Sequence, residues 1–127
     1  MPTLTSSSVV AAAGGSFLLD ARTPAEIFTP EDLNEEQRQI AATAIQFARE
    51  EILPAAAAIE AKEPGVLKGI LKKAADLGFT SVDIPEEYGG IGMDKTTSTL
   101  VSDHLSILAS FSTAFGAHIG IATLPLV

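Results

Sequence analysis

The sequence has no cysteine and no tryptophan, and its aromatic content is only 6%. The lack of cysteine excludes disulfides, zinc–thiolate sites and cysteine nucleophiles, and it suits a reducing compartment. A hydrophobic content of 46% in 127 residues is sufficient for the core of one domain. Because the aromatic share is small, we expect that core to be mainly aliphatic.

Positive charge is also scarce. Eight Lys and Arg residues face sixteen Asp and Glu residues, which gives a formal net charge of −8. This balance argues against a nucleic-acid partner and against a polybasic membrane surface, since both need clustered cations. The first thirty residues hold one arginine, Arg22, and two acids, Asp20 and Glu26. An arginine-rich transit peptide is therefore not predicted, and we expect a cytoplasmic protein.

Fixed charge is absent from the last part of the chain, Leu105–Val127. By length this segment could span a bilayer, but serine, threonine and histidine interrupt it and Pro125 lies near its end. We expect a buried segment and no membrane span. The chain stops on the apolar run "LPLV", with no helix-stop signal. This ending predicts an N-terminal piece of a longer protein.

Composition and helix signals divide the chain into three parts. Residues 1–14 are rich in Ser, Ala and Thr and are predicted to be disordered. Residues 15–28 carry apolar anchors and are predicted to be a packing arm. Residues 29–127 have apolar positions at helical spacing, which predicts an all-α bundle of four to five helices that is truncated at its end. The fifth helix is expected near Thr123.

Several residues predict where the helices begin and break. Thr29 precedes Pro30, and Asn34 forms a capping-box pattern with Gln37, so the first long helix should start near Asn34. Pro54 has no amide hydrogen, so that helix must kink or restart there. Gly78 is a natural left-handed end for a second helix. A third helix should begin near Asp94, and a fourth should cover Ser110–Gly120.

The stretch "LGFTSVDIPEEYGGIGMD", residues 77–94, is glycine-rich but has the wrong charge for a phosphate loop. Acidic residues precede and follow its glycines, and their spacing does not fit a calcium loop. We interpret the stretch as a structural corner. Gly89 and Gly90 would permit positive φ or close backbone approach, while Ile84 and Tyr88 would fill the core.

No residue pattern predicts an active site. His104 and His118 are the only histidines and have no metal-ligand spacing. We expect His104 to be a hydrogen-bonded helix residue and His118 to have a packed or capping role. The paired glutamates are adjacent in sequence and do not share a helix face. We therefore predict neither a catalytic residue nor a metal site in this chain.

One segment suggests a ligand surface. The fourth predicted helix is unusually small-sided, with Thr113, Ala114, Ala117 and Ile121 at roughly helical spacing. Small side chains here would leave an apolar groove, or they would allow close packing against another helix. The residues alone do not decide between these two interpretations.

The corner motif closely resembles the acyl-CoA dehydrogenase family, in which Pro-Glu-Glu-Tyr-Gly-Gly joins the second and third helices of an N-terminal helical domain. "FTPEDLNEEQRQIAATAIQFAREEILP" resembles the first helix of that domain, and "SFSTAFGAHIGIATLPLV" its fourth helix. The resemblance covers residues 15–127. "GGSFLL" and "GAHIGIATLP" are more similar to the long-chain and very-long-chain branch.

This resemblance implies a flavin-dependent enzyme that dehydrogenates fatty acyl-CoA thioesters between the α and β carbons. It also implies that FAD and the catalytic glutamate belong to later domains, so the chain alone should be inactive and flavin-free. The implied partners are those domains, fatty acyl-CoA, electron-transferring flavoprotein and, in the intact enzyme, further copies in a homo-oligomer. Four positions match the acyl tunnel, and their small size suggests long chains: Thr113, Ala114, Ala117 and Ile121.

Two other functions remain open from the residues. A free-standing helical interaction module would use the apolar tail as a partner surface. A tail-anchored membrane protein would insert the same segment into a bilayer.

Overall fold

The computed structural model describes residues 15–127, and the predicted disordered tail, residues 1–14, lies outside the described residues. Within this range the chain is helical and has no strand, so the all-α class is confirmed. The α-helices are α1 Glu35–Phe47, α2 Ala56–Glu60, α3 Val66–Asp76, α4 Lys95–Leu105 and α5 Ala109–Gly116.

The described residues fall into two compact units, which divide between Leu33 and Asn34. The first unit contains three single-turn 3₁₀ helices, Ser16–Leu18, Pro24–Glu26 and Pro30–Asp32. The expected pairing of Thr29 with Pro30 begins the third of these turns, and the Asp32 carboxylate accepts the Thr29 amide hydrogen at 2.9 Å. The packing role of residues 15–28 stays a prediction.

The first long helix of the second unit starts as predicted. The Gln37 amide hydrogen bonds Asn34 Oδ1 at 2.8 Å, and the Asn34 amide bonds Gln37 Oε1 at 3.1 Å. This reciprocal pair satisfies donors that have no partner inside the helix. After Phe47 the helix widens into a π-helical turn, Ala48–Ile52, and a new helix, α2, begins after Pro54. The predicted break at the proline is confirmed.

The end of α3 is a left-handed cap. Gly78 has φ of 82°, and its amide bonds the Ala75 carbonyl while the Phe79 amide bonds the Ala74 carbonyl. This pattern is a Schellman motif, and it confirms the predicted role of Gly78. It also turns the chain so that Phe79 enters the core, where its ring meets Phe47 edge-on with centroids 5.7 Å apart.

The corner between α3 and α4 folds back on itself. Three amides of its second half, from Ile91, Gly92 and Met93, donate to carbonyls of residues 81–84 at 2.8–2.9 Å. Gly89 has φ of 81°, and Gly90 lies so close to Ile84 that a Cβ there would stand 2.0 Å from the Ile84 carbonyl oxygen. Both predicted uses of glycine are therefore present.

One prediction for the corner is wrong. Ile84 is buried, as expected, but Tyr88 is 57% exposed and does not fill the core. Tyr88 ends the single 3₁₀ turn Glu86–Tyr88, directly before the left-handed Gly89. The hydrogen-bonded halves of the corner direct Val82 and Ile84 inward, and the 3₁₀ turn lies outside them.

The core of the second unit lies where α1 packs against α4, with α5 closing it. Asp94 caps α4, and one face of that helix buries Thr97, Val101 and Leu105. The expected fifth helix near Thr123 is instead a 3₁₀ turn, Leu124–Leu126. Residues 15–127 nevertheless contain five α-helices, because Pro54 divides the first predicted helix into α1 and α2.

Candidate functional site

The α5 segment has one buried face. Phe111 and Phe115 are one turn apart and buried, and their rings stack with centroids 6.0 Å apart. Ser110 ties the start of the helix to α2, because its hydroxyl donates to the Glu60 carboxylate at 2.6 Å. These contacts fix the orientation of α5 and determine which side chains point outward.

The four predicted groove residues lie on the outward side of this segment. Thr113 and Ala117 are exposed, Ala114 is half-buried, and Ile121 is 81% exposed. The Thr113 hydroxyl donates to the Ala109 carbonyl at 2.9 Å, so its hydrogen is used within the helix. The resulting surface presents methyl and methylene groups with little free hydrogen-bonding capacity.

Glycines add space beside this surface. A Cβ placed on Gly116 or Gly120 would meet no other atom within 4 Å. Close packing against another helix was one interpretation of the small side chains, but no described residue packs on the glycines in that way. Residues 15–127 therefore leave this face uncovered, and it has room for an apolar ligand or for another part of a larger protein.

The segment beyond Gly116 is a second π-helical turn, Ala117–Thr123, and it contains no buried residue. The Thr123 hydroxyl donates to the His118 carbonyl, five residues earlier, at 2.7 Å. The side chain of His118 is exposed, so the packed role expected for it is not observed. No titratable group other than His118 lies on this part of the chain.

The other histidine, His104, also shows no arrangement for catalysis or metal binding. His104 is half-buried and stands 3.9 Å from Asp103, which belongs to the same helix. Within residues 15–127, no group of three or more His, Cys, Asp or Glu side chains is arranged to hold a metal ion. In the same range, no helix is both long enough and apolar enough to cross a membrane.

A polar cluster joins the starts of α1 and α4. The buried Gln37 donates through Nε2 to the Asp94 carboxylate at 3.3 Å and to the Thr97 hydroxyl at 3.4 Å. Asp94 also accepts the Thr97 amide at 2.8 Å and its hydroxyl at 2.7 Å. These bonds from Thr97 and then from Gln37 hold the pKa of Asp94 below its ordinary value.

Sequence reasoning found Gln37 only as a local cap and missed its contact with Asp94. The cluster borders an open cleft of about 320 Å³ that Ile91 and Met93 also line. Those two residues separate it from an apolar cavity of about 150 Å³ near Leu77 and Phe79. Every polar group of the cluster has a partner within the protein, so the cluster connects two helices and offers no unpaired donor to a ligand.

Asp83 belongs to the corner and pairs with Lys95, the first residue of α4. Partial burial of Asp83 raises its pKa, but the hydrogen bond and charge of Lys95 outweigh burial and leave the pKa below its ordinary value. The pair joins the corner to α4 and is a structural contact.

Comparison with known proteins identifies this arrangement. Residues 34–127 match the sequence profile of the acyl-CoA dehydrogenase N-terminal domain. A probable acyl-CoA dehydrogenase of Bacillus subtilis (strain 168) is 41% identical over 114 residues, which are 90% of this chain and 19% of that protein. The short-chain specific acyl-CoA dehydrogenase of Sus scrofa mitochondria is 32% identical over 87 residues, 68% of this chain and 21% of that protein.

A solved structure agrees with these sequence matches. The acyl-CoA dehydrogenase of Bacillus anthracis, crystallised in complex with FAD, superposes with a TM-score of 0.79 at 43% identity and covers 90% of this chain. The match covers 20% of the Bacillus anthracis chain. The 127-residue chain thus spans about a fifth of the length of the relatives that it matches.

Proposed function

The chain belongs to the acyl-CoA dehydrogenase family, and from that membership we propose that it is the N-terminal helical domain of a flavin-dependent acyl-CoA dehydrogenase. The match over residues 34–127 carries the proposal. The proposed reaction removes the α-proton and the β-hydride of a fatty acyl-CoA thioester, for which bound FAD would supply the hydride acceptor. Residues outside this chain supply the base and the flavin pocket.

Within that enzyme the chain provides one wall of the acyl-chain tunnel. The wall consists of Thr113, Ala114, Ala117 and Ile121. All of these are exposed except the half-buried Ala114, so the wall is free to contact an apolar ligand. His118 is the titratable residue on this part of the chain, and its side chain is exposed. We assign it no proton transfer, because the proposed base lies outside this chain. The wall therefore orients the fatty chain and excludes water, and it takes no part in bond breaking.

We further propose a preference for long chains. Ala114 and Ala117 project only a methyl group each, and Gly116 and Gly120 add no side chain at all. A wall without bulk leaves volume for more methylene groups, and each buried methylene stabilises a bound chain by about 0.8 kcal/mol. Relatives of this chain carry short-chain and medium-chain names, so substrate length is the property to test first.

A fusion enzyme tests the proposal directly. The full 127-residue chain would replace the matching N-terminal segment of the Bacillus anthracis enzyme. We expect the fusion to bind FAD and to reduce a dye acceptor with palmitoyl-CoA. We expect the 127-residue chain by itself, and the Bacillus anthracis remainder by itself, to do neither. Failure of a folded fusion to bind flavin would contradict the domain assignment.

The tunnel wall needs a separate comparison. Ala117→Trp in the fusion should shift the preference toward shorter acyl chains, because the indole fills volume that the methyl group leaves open. Ala42→Trp is the matched control, since Ala42 is exposed on α1 and lies on another helix. An unchanged chain-length profile in a flavin-loaded Ala117→Trp fusion would remove these residues from the tunnel.

The remaining partners follow from the same membership. We propose electron-transferring flavoprotein as the electron acceptor, a homo-oligomeric assembly and a cytoplasmic location. The location is supported by the acidic, arginine-poor start of the sequence. Reduction of purified electron-transferring flavoprotein by the fusion, its sedimentation behaviour and the fractionation of the native host would test the three in turn.

A free-standing interaction module is the other function that the sequence left open. Exposed apolar residues at Ile121 and Leu126 suit a protein partner. They suit contact with the later domains of a dehydrogenase equally well, so they do not favour the module.

A further inference from the structure

Within residues 15–127, two turns are widened to π-helical geometry. Both the turn Ala48–Ile52 and the turn Ala117–Thr123 are π-helical, and each ends two residues before a proline, Pro54 or Pro125. At the first turn the Leu53 amide reaches back five residues to the Ala48 carbonyl at 3.0 Å. At this turn, Leu53, the residue immediately before Pro54, therefore donates a π-type hydrogen bond.

The proline ring explains this coincidence. A proline inside a helix has no amide hydrogen, and its ring collides with the carbonyl four residues earlier. For Pro125 that carbonyl belongs to Ile121. Widening the preceding turn to five-residue hydrogen bonds moves this carbonyl aside before the chain enters the 3₁₀ turn Leu124–Leu126. The Thr123 hydroxyl, which bonds the His118 carbonyl five residues back, adds a further contact across the widened turn.

Widening changes the direction in which Ile121 points. In the α-helical part, successive residues are about 100° apart, so Thr113 lies about 40° to one side of Ala117. A turn closed by five-residue bonds holds about 4.4 residues, or about 80° each, which puts Ile121 about 40° to the same side. In a regular α-helix Ile121 would lie about 40° to the opposite side, toward Ala114.

We propose that Pro125 is a specificity-positioning residue that acts through Ile121. By keeping the turn widened, Pro125 holds the largest side chain of the tunnel wall in line with Thr113. Pro54 uses the same device in a different place, where Ala48 and Ile52 are buried in the core. The inference rests on the proposed function, because Ile121 affects substrate choice only if the wall contacts the acyl chain.

The test compares chain-length profiles in the fusion enzyme, as the ratio of kcat/KM for palmitoyl-CoA to kcat/KM for octanoyl-CoA. Pro125→Ala should let the turn become α-helical and move Ile121 off the line through Thr113, so the ratio should rise on the order of tenfold. Ile121→Ala should also raise it. In the Ile121→Ala background, Pro125→Ala should change the ratio by less than about twofold, because the side chain on which it acts is gone.

Pro54→Ala is the matched control, since it removes the same kind of ring from the other widened turn. It should alter stability and leave the ratio unchanged. A shift in Pro54→Ala equal to that in Pro125→Ala would overturn the proposal, because the effect would then be general. If Pro125→Ala does not load flavin, Thr123→Val takes its place and should raise the ratio to a smaller extent, and an unchanged ratio would overturn the proposal.

Ala117→Trp distinguishes failure of the tunnel-wall proposal from failure of the proposal for Pro125. If Ala117→Trp shifts the profile and flavin-loaded Pro125→Ala does not, the tunnel wall stands and the role of Pro125 is wrong. If neither variant shifts the profile, the wall itself is wrong and the proposal for Pro125 falls with it.

Discussion

Gly90 is predicted to be the least replaceable glycine of the corner. A Cβ at this position would stand 2.0 Å from the Ile84 carbonyl oxygen, 2.4 Å from its carbonyl carbon and 2.5 Å from its Cβ. Two of these atoms are backbone, so no side-chain rotation relieves the overlap. Gly90→Ala must therefore separate the two halves of the corner by more than an ångström.

The cost follows from what that separation breaks. Three hydrogen bonds join the halves, from the amides of Ile91, Gly92 and Met93. Each contributes about 0.5–1.5 kcal/mol net. Ile84 is 5% exposed, and loss of its burial would cost about 1.5–3 kcal/mol. We expect Gly90→Ala to lower the free energy of unfolding by at least about 3 kcal/mol, a large part of the roughly 5–15 kcal/mol of a typical domain.

Gly89→Ala supplies the control at the neighbouring position. Gly89 has φ of 81°, but a Cβ there would meet no atom within 4 Å. Its cost is only that of a left-handed alanine, about 1–2 kcal/mol. The difference between the two variants therefore measures the steric contact with Ile84, with the chemical change held constant.

Urea unfolding followed by far-ultraviolet circular dichroism gives both free energies. Tyr88 provides a local signal, because it is the only tyrosine, it lies on the corner, and no tryptophan masks it. We expect its fluorescence to change in native Gly90→Ala and to stay constant in Gly89→Ala. If Gly90→Ala costs no more than Gly89→Ala, the close approach to Ile84 does not exist and the reasoning is refuted.

Three further predictions concern stability and use the same unfolding assay. Lys62 has φ of 56° at the end of α2, so Lys62→Gly should stabilise by about 0.5–1 kcal/mol, whereas Lys68→Gly, inside α3, should destabilise by about 1 kcal/mol. Gly69→Ala should stabilise by about 1 kcal/mol, because a Cβ there meets no atom within 4 Å; a destabilised variant would contradict the open space at this position. Hydrogen bonds from Thr97 and Gln37 hold the folded-state pKa of Asp94 below its ordinary value. The Asp94 charge therefore contributes stability above the ordinary pKa, and this stability is lost as the pH falls through the folded-state pKa. Wild type and Asp94→Asn should therefore differ by a constant amount near neutral pH and converge in acid, and a gap that widens in acid would contradict this sign.

The features that sequence predicted well are local ones. The cap at Asn34, the break at Pro54 and the left-handed Gly78 depend on residues within one or two turns, and the chain shows all three. Such signals act through hydrogen bonds and dihedral angles that neighbouring residues set by themselves. The predicted number of helices is confirmed, but the fifth helix is not the predicted one. Pro54 divides the first predicted helix and so creates α2, whereas the helix expected near Thr123 is a single 3₁₀ turn.

The features that sequence missed depend on contacts between distant residues. The bond from Gln37 to Asp94 joins positions 57 apart, and its capping pattern gave no sign of this second partner. Tyr88 is predicted in the core, but its side chain is 57% exposed. The Gly89-Gly90 pair predicted a close backbone approach, but it did not identify Ile84 as the residue that Gly90 approaches.

The candidate tunnel wall stays a prediction, and sequence did not predict the shape of the turn that carries part of it. Small residues at helical spacing marked Thr113, Ala114, Ala117 and Ile121, and the structure leaves these positions half-buried or exposed. Helical spacing assumed a regular α-helix, whereas the turn after Gly116 is widened and points Ile121 elsewhere. The signal for that change was present in Pro125. A proline near a helix end is commonly taken as a terminator, yet here its ring alters the turn before it, and thereby the surface that a bound chain would meet.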